Sequence, residues 1–281
     1  MRTPNPEPRT PITTATLTER VGRVLGLNPG LMTGPGTNTY LVGQREPLLI
    51  DTGAGVPEYF GELERYLRDR GIPTLHRVVL THRHSDHMGG VAGLRQKFLG
   101  LSVSKFVYRD SALPGPISSI KDGDVIEAVG ATLVAIHTPG HASDHLCYYL
   151  REEKALFTGD LILGGSTTVI PPDDGDLAQY MASLHRLLDL DVERIYPGHG
   201  PVIEPAKAKI HDYINHRLER DRQILDAISA GCRTVPQMVA RIYVDVSPAL
   251  HPVAQLSVQS HLIKLKREGR VREESSGWSV M

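Results

Sequence analysis

Residues 81–87 read Thr81-His82-Arg83-His84-Ser85-Asp86-His87, with four ligand-type side chains between positions 82 and 87. In a helix His82 and His84 would point in different directions. An extended segment that ends in a turn puts alternate residues on one side and lets Asp86 and His87 reach a neighbouring point. The run therefore predicts two adjacent metal positions. Imidazole and carboxylate without thiolate suit Zn²⁺ and also accept Mn²⁺ or Fe. A single His near a strand end is usually structural, and it is the compactness of the run that argues otherwise.

Working outward, RVVL at 77–80 is a β-branched run, so the motif lies at the carboxyl end of a strand. Upstream, NTYLVG and PLLIDTG read as strands divided by turn residues, and Val56 to Arg70 has apolar residues at helical spacing before Gly71-Ile72-Pro73. Downstream, the strand runs of DVIEAVGATLVAIHTPGH, DHLCYYLREEKALFTGD and RIYPGHG each lead to another ligand type: His141 after Gly140, Asp160 after Gly159 and His199 after Gly198. Glycine there allows a tight turn and close approach of the backbone. A helix is expected between Leu177 and Leu188. Strands alternating with helices, with polar motifs after strand ends, give a layered α/β protein whose site lies on loops along one edge.

The chain has 281 residues, 40% hydrophobic and 22% charged, enough for one large core or a core with a small appendix. Residues 1–16, rich in Pro and Thr, are expected to be a flexible tail, 17–205 the catalytic domain and 206–281 a second, helical domain. Ala206 to Ala230 reads as one long helix stopped by Gly231. Thr234-Val235-Pro236 reads as a capped helix start, SVQSHLIKLKREG as a helix ended by Gly269, and RVREE with GWSVM as a hairpin across Ser275-Ser276. Helices followed by a hairpin are the order of a winged helix. Net charge is −1, but residues 206–281 hold 12 Lys/Arg against 8 Asp/Glu. That asymmetry permits a polyanionic partner without the dense basic stripe of a committed nucleic-acid binder.

Cys147 and Cys232 are too few for a disulfide framework, so a reducing, cytoplasmic setting is expected. No run of about 18 apolar residues and no basic-then-apolar leader is seen, so neither a membrane span nor a secretory signal is expected. His137 and His145 flank the TPGH turn and read as structural. His76, His185, His211, His216, His251 and His261 lack ligand spacing. Ser166-Thr167-Thr168 reads either as a donor of hydrogen bonds to a substrate oxygen or as a capped turn.

The motifs THRHSDH, TPGH, FTGD and PGHG, in this order across about residues 20–205, resemble the metallo-β-lactamase superfamily. The resemblance implies a four-layer αββα sandwich with a di-metal site at one edge, followed by the winged-helix-like domain. It places His82, His84 and His141 on one metal, Asp86, His87 and His199 on the other, and Asp160 between them. Asp51 in LIDTG would orient a ligand imidazole or, alternatively, cap a turn. Two Zn²⁺ with two carboxylates and a bridging hydroxide leave a net charge of about +1, and the ions lower the pKa of bound water from 15.7 toward about 7. The expected activity is hydrolysis by that hydroxide, with Asp86 as proton acceptor and Asp160 as the second catalytic carboxylate.

Asp160 and the missing leader count against an authentic β-lactamase, and His84, where flavo-diiron proteins carry Glu, counts against oxygen reduction. Stretches such as VGRVLGLNPGLMTGPGTNTYLVG and FTGDLILGGSTTV further resemble the β-lactamase-like protein 2 family of single-strand-specific endoribonucleases. That resemblance makes single-stranded RNA the first expected partner, held by Lys264, Lys266, Arg267 and Arg270. The alternatives are a small-molecule acyl hydrolase (an ester, thioester or lactone hydrolase resembling glyoxalase II, or a weak β-lactamase), with the small domain packing over the site or forming a homodimer, and a nucleic-acid-binding protein with a vestigial site.

Overall fold

The strands of this chain are apolar on both faces, and in the computed structural model, which describes residues 12–107 and 115–281, both faces are covered. The first sheet runs in chain order: β1 (Thr14–Thr16), β2 (Val21–Leu25), β3 (Asn38–Val42), β4 (Leu48–Ile50), β5 (Arg77–Val79), β6 (Ser102–Lys105) and β7 (Ser118–Ser119). Its first four strands are antiparallel neighbours and its last four are parallel. The second sheet holds β8 (Val125–Ala128), β9 (Ala131–His137), β10 (Leu146–Leu150), β11 (Ala155–Gly159) and β12 (Arg194–Pro197), the last pair parallel. Residues 1–11 of the expected tail lie outside the described residues. Thr14–Thr16, also expected in that tail, instead pairs with β2 as an edge strand, because its backbone finds partners at Gly22 to Val24.

The period of two along each strand assigns the layers. Tyr40, Val42, Leu48 and Ile50 face Leu146, Tyr148, Leu150 and Phe157 of the other sheet. Leu41 and Leu49 point the opposite way, toward α1 (Pro57–Asp69) and α3 (Val91–Lys97). The four-residue helix α2 (Ser85–Met88) lies between them in the chain. Cys147 and Leu156 face α4 (Leu177–Leu188) and the start of α5 (Ala206–Ser229). Each such side chain contributes about 1.5–3 kcal/mol by leaving water. The result is the four-layer αββα sandwich.

The chain continues as α6 (Val235–Ile242), α7 (His251–Arg267) and a hairpin of β13 (Val271–Glu274) and β14 (Gly277–Val280). Thr234 and Gln237 form a reciprocal capping box at the start of α6. Helix α7 begins six residues before the expected Ser257. Pro252 stands in its first turn, where no backbone N–H is needed, so the proline does not delay the helix. Helix α5 belongs to two cores. Ile210, Tyr213 and Ile214 pack beneath the second sheet, whereas Ile224, Ala227 and Ile228 pack with Met238, Val258 and Leu262 of the small domain.

Between those halves lies a buried polar cluster. Asp221 accepts from His261 Nδ1 at 2.6 Å and from Lys264 Nζ at 2.7 Å, all three residues being less than a tenth exposed. Burial raises the Asp221 carboxyl, but His261 and Lys264 outweigh it and hold it below its usual value. A depressed folded pKa means stability that is present above the unfolded value of about 3.9 and is lost as pH falls through the folded one. Asp221→Asn is expected to destabilise the chain by about 3 kcal/mol at pH 7, with the deficit shrinking below pH 4. Denaturant unfolding at the two pH values measures it, and an unchanged midpoint at pH 7 refutes the assignment.

Candidate metal centre

Chain ends of both sheets meet at one edge, and each glycine identified in the sequence does a steric job there. Gly140, at φ +140°, lies where a Cβ would sit 2.3 Å from Tyr180 Cα, so α4 can pack directly on the turn before His141. A Cβ on Gly198 would stand 2.8 Å from both Asp160 Oδ1 and His87 Cε1. The 197–200 turn is held across the sandwich: Asn38 Nδ2 and Tyr40 Oη both donate to the Pro197 carbonyl, at 3.0 and 2.7 Å.

All seven sequence-predicted residues come together, in two overlapping groups. His82, His84, His141 and Asp160 form one, and Asp86, His87, Asp160 and His199 the other, each with ligand-type atoms within 4.8 Å of one another. Asp160 belongs to both through different oxygens. Its Oδ2 lies 3.7 Å from His141 Nε2, while its Oδ1 lies 3.1 Å from His87 Nε2 and 3.3 Å from His199 Nε2. Asp86 Oδ2 completes the second group, 3.2 Å from His199 Nε2 and 3.5 Å from His87 Nε2.

Hydrogen bonds behind the rings assign their tautomers. Thr81 Oγ1 donates to Asp51 Oδ2 at 2.8 Å, so it accepts from His82 Nδ1 at 3.0 Å and leaves His82 Nε2 bare. His141 Nδ1 donates to the Val169 carbonyl at 2.8 Å, leaving its Nε2 bare as well. Both bare nitrogens face His84 Nδ1, at 2.9 and 3.0 Å. A single proton cannot satisfy three converging nitrogens, whereas a cation can. In the second group His87 Nε2 and Asp160 Oδ1 are buried with no hydrogen-bond partner among the described residues. The donor set therefore fits two metal ions.

The electrostatics differ between the groups. Burial drives His82 well below its usual value and His141 down to about 4, against the pull of Asp160, so both stay neutral. For His87 and His199 burial acts the same way but is overridden by Asp160, helped by Asp51 for His87 and by Asp86 for His199, which is lifted to about 9. A cation in the second group takes the place of protons that these carboxylates otherwise hold on the rings. Asp160 itself is pushed up by burial but held well below the usual carboxylate range by His87 and His199.

Asp51 is an orienting residue. It accepts from His87 Nδ1 and from the Thr81 backbone N–H, both at 2.8 Å, from a left-handed backbone at φ +60°. His145, read as structural, positions Asp160: its Nε2 accepts from the Asp160 backbone N–H at 3.2 Å. His137 stacks on Phe106 and takes no part. Thr168 proves to be a turn cap, donating to the Asp160 carbonyl at 2.8 Å, while Ser166 and Thr167 are exposed. Two supports carry no local sequence signal. Lys105, at the end of β6, is buried in an ion pair with Asp144 in the turn after His141, and Asn38 reaches Pro197 from the other sheet.

The description of the metallo-beta-lactamase superfamily matches residues 32–99 and 100–199, and that of the beta-lactamase associated winged helix domain matches residues 234–278. The chain is 38% identical over 261 residues to the beta-lactamase-like protein 2 homolog of Caenorhabditis elegans, covering 91% of this chain and 87% of that one. It is 38% identical over 275 residues to the atrochrysone carboxyl ACP thioesterase of Aspergillus chevalieri, covering 93% and 85%. Its fold is similar to that of a metallo-beta-lactamase family protein from Thermus thermophilus, with a TM-score of 0.77 at 22% identity, covering 95% of this chain and 100% of that one.

Removing the Asp51 carboxylate frees the His87 ring to turn while leaving every candidate ligand in place. Because Asp51 also holds Thr81 behind His82, Asp51→Ala is expected to weaken binding of at least one of two Zn²⁺ equivalents by about 10- to 100-fold, read by titration against a chromogenic chelator. Unchanged affinity for both ions would remove Asp51 from the site.

Proposed function

The chain belongs to the metallo-β-lactamase superfamily, and from that premise we propose that it is a dinuclear metal-dependent hydrolase of small-molecule acyl substrates, thioesters first. His82, His84 and His141 would hold one ion and Asp86, His87 and His199 the other, with Asp160 shared, which the opposite facing of its two oxygens supports. Zinc is the metal proposed, with manganese or iron as the alternatives that this donor set accepts. Two such ions supply Lewis acidity and bring the pKa of bound water toward about 7. The protein fixes the imidazoles through Thr81, Asp51 and the Val169 carbonyl, and Asp86, whose side chain is 25% exposed, would offer a carboxylate oxygen as proton acceptor. Both cysteines are free, consistent with the reducing cytoplasmic setting proposed for the chain. Among the described residues no helix is long and apolar enough to cross a membrane.

The observation that carries the choice of substrate is the state of the basic run on α7. Lys264 pairs with Asp221 and Glu268, Lys266 with Glu273, Arg267 with Asp176 and Arg270 with Glu268. Cations occupied in this way do not form the open stripe that a phosphate backbone needs. A thioesterase name among relatives that align over nearly the whole chain supports the same choice.

The test is turnover by the zinc-loaded chain of acyl-N-acetylcysteamine thioesters, lactones, nitrocefin and a labelled single-stranded RNA. Thioester hydrolysis is expected, lost on chelation and reduced at least ~10³-fold in Asp160→Ala. Intact thioesters with RNA cleavage that is lost in that variant and suppressed by salt would overturn the acyl reading in favour of an endoribonuclease.

A further inference from the structure

Beside the metal centre, between the 163–169 loop, α5 and the small domain, lies a cavity of about 260 Å³. One loop serves both. Val169 holds His141 and Thr168 holds the Asp160 carbonyl, and the same two residues line the cavity. Leu31, Met32, Leu163, Leu250 and Val253 make much of the wall apolar. Against these stand His216, Arg217 and Arg220 from one face of α5, with no Asp or Glu among the described residues of the lining.

Neither guanidinium group forms an ion pair among the described residues. Arg217, 4% exposed, donates Nη2 to the Thr168 carbonyl and lies 5.2 Å from the Tyr180 ring centre, but its Nε is buried without a partner. Arg220 is stacked 4.0 Å over the Tyr243 ring, with Nε and Nη1 buried and unpartnered among the described residues. The neighbouring charges of α5 are engaged elsewhere: Asp221 with His261 and Lys264, and Glu219 and Asp226 with Arg222. Withdrawing a cation from water without a counter-charge is costly. Burial depresses Arg220, opposed by Tyr243 and by the more distant Glu219 and reinforced by Arg217, and burial with the two arginines pushes His216 down to about 4. Planar donors stacked on an aromatic ring inside an apolar wall form a receptor for a carboxylate or phosphate on a hydrophobic body.

We propose that this cavity binds an apolar organic anion, the acyl portion of the substrate, through a carboxylate or phosphate laid against Arg220 and Arg217. As a substrate class this rests on the acyl-hydrolase reading; as a binding site it stands without it. The experiment is calorimetric titration of the zinc-loaded full chain with 2-naphthoate, 2-naphthyl phosphate and neutral 2-naphthamide. An anion is expected to bind at least about tenfold more tightly than the amide, and Arg220→Met to weaken it by about 10- to 100-fold while leaving the amide unchanged. Whichever anion binds more tightly identifies the group recognised. Arg220→Lys, which keeps the charge, should recover part of the loss, and in the wild-type chain a bound anion should raise the His216 pKa seen by NMR, a readout that needs no variant. Equal affinity for anion and amide, or anion binding indifferent to Arg220→Met and therefore confined to the metal centre, overturns the proposal. If anions bind through Arg220 while no thioester is hydrolysed, the acyl-hydrolase reading fails and the binding site remains.

Discussion

One carboxylate, Asp160, is withdrawn from water and kept ionised by His87 and His199 beside its Oδ1. Burial alone would protonate it, so the surrounding fold must keep His87 and His199 against one oxygen, while the neutral His141 ring comes near the other. Each of those rings comes from a different strand end, and two of the strand ends belong to the opposite sheet from the third. The face-to-face stacking of the sheets is thus a requirement of the site. Asn38 and Tyr40, reaching from the first sheet to the Pro197 carbonyl, and Lys105, pairing with Asp144, hold that alignment with polar contacts where the apolar core ends.

What could be read from the chain alone follows from how local each feature is. The seven candidate ligands stood out because four lie in one run and the others each follow a glycine at a strand end, a pattern that close backbone approach imposes. Helices α1, α4 and α5 were legible within a residue or so from their apolar spacing. Asp51 could not be decided from its neighbours, since a turn cap and an imidazole clamp look alike until His87 is placed 2.8 Å away. Lys105–Asp144 and Asp221–His261 join residues about 40 positions apart and leave no periodic trace. His145 was rightly read as structural, though its hold on the Asp160 backbone became visible only in three dimensions.

Charge was the least transferable signal. Counting Lys and Arg in residues 206–281 gives an excess of cations, yet those on α7 are matched by acids from α5, α7, β13 and the start of α4. The guanidinium groups without partners lie elsewhere, on the middle of α5, where a helical face that looks merely amphipathic turns its bases into a cavity. A sequence reports how many charges a segment has; only the fold reports which of them are already neutralised.

Helix α5 gives the molecule a property that neither domain would have alone. About 36 Å of continuous helix carries the floor of the sandwich at one end and the core of the small domain at the other. Loss of packing at either end therefore strains a rod that the opposite end also uses. A substitution that loosens one core thus acts on a helix that the other core shares, and the middle of α5 reaches the loop holding His141 through Arg217, which donates to the Thr168 carbonyl.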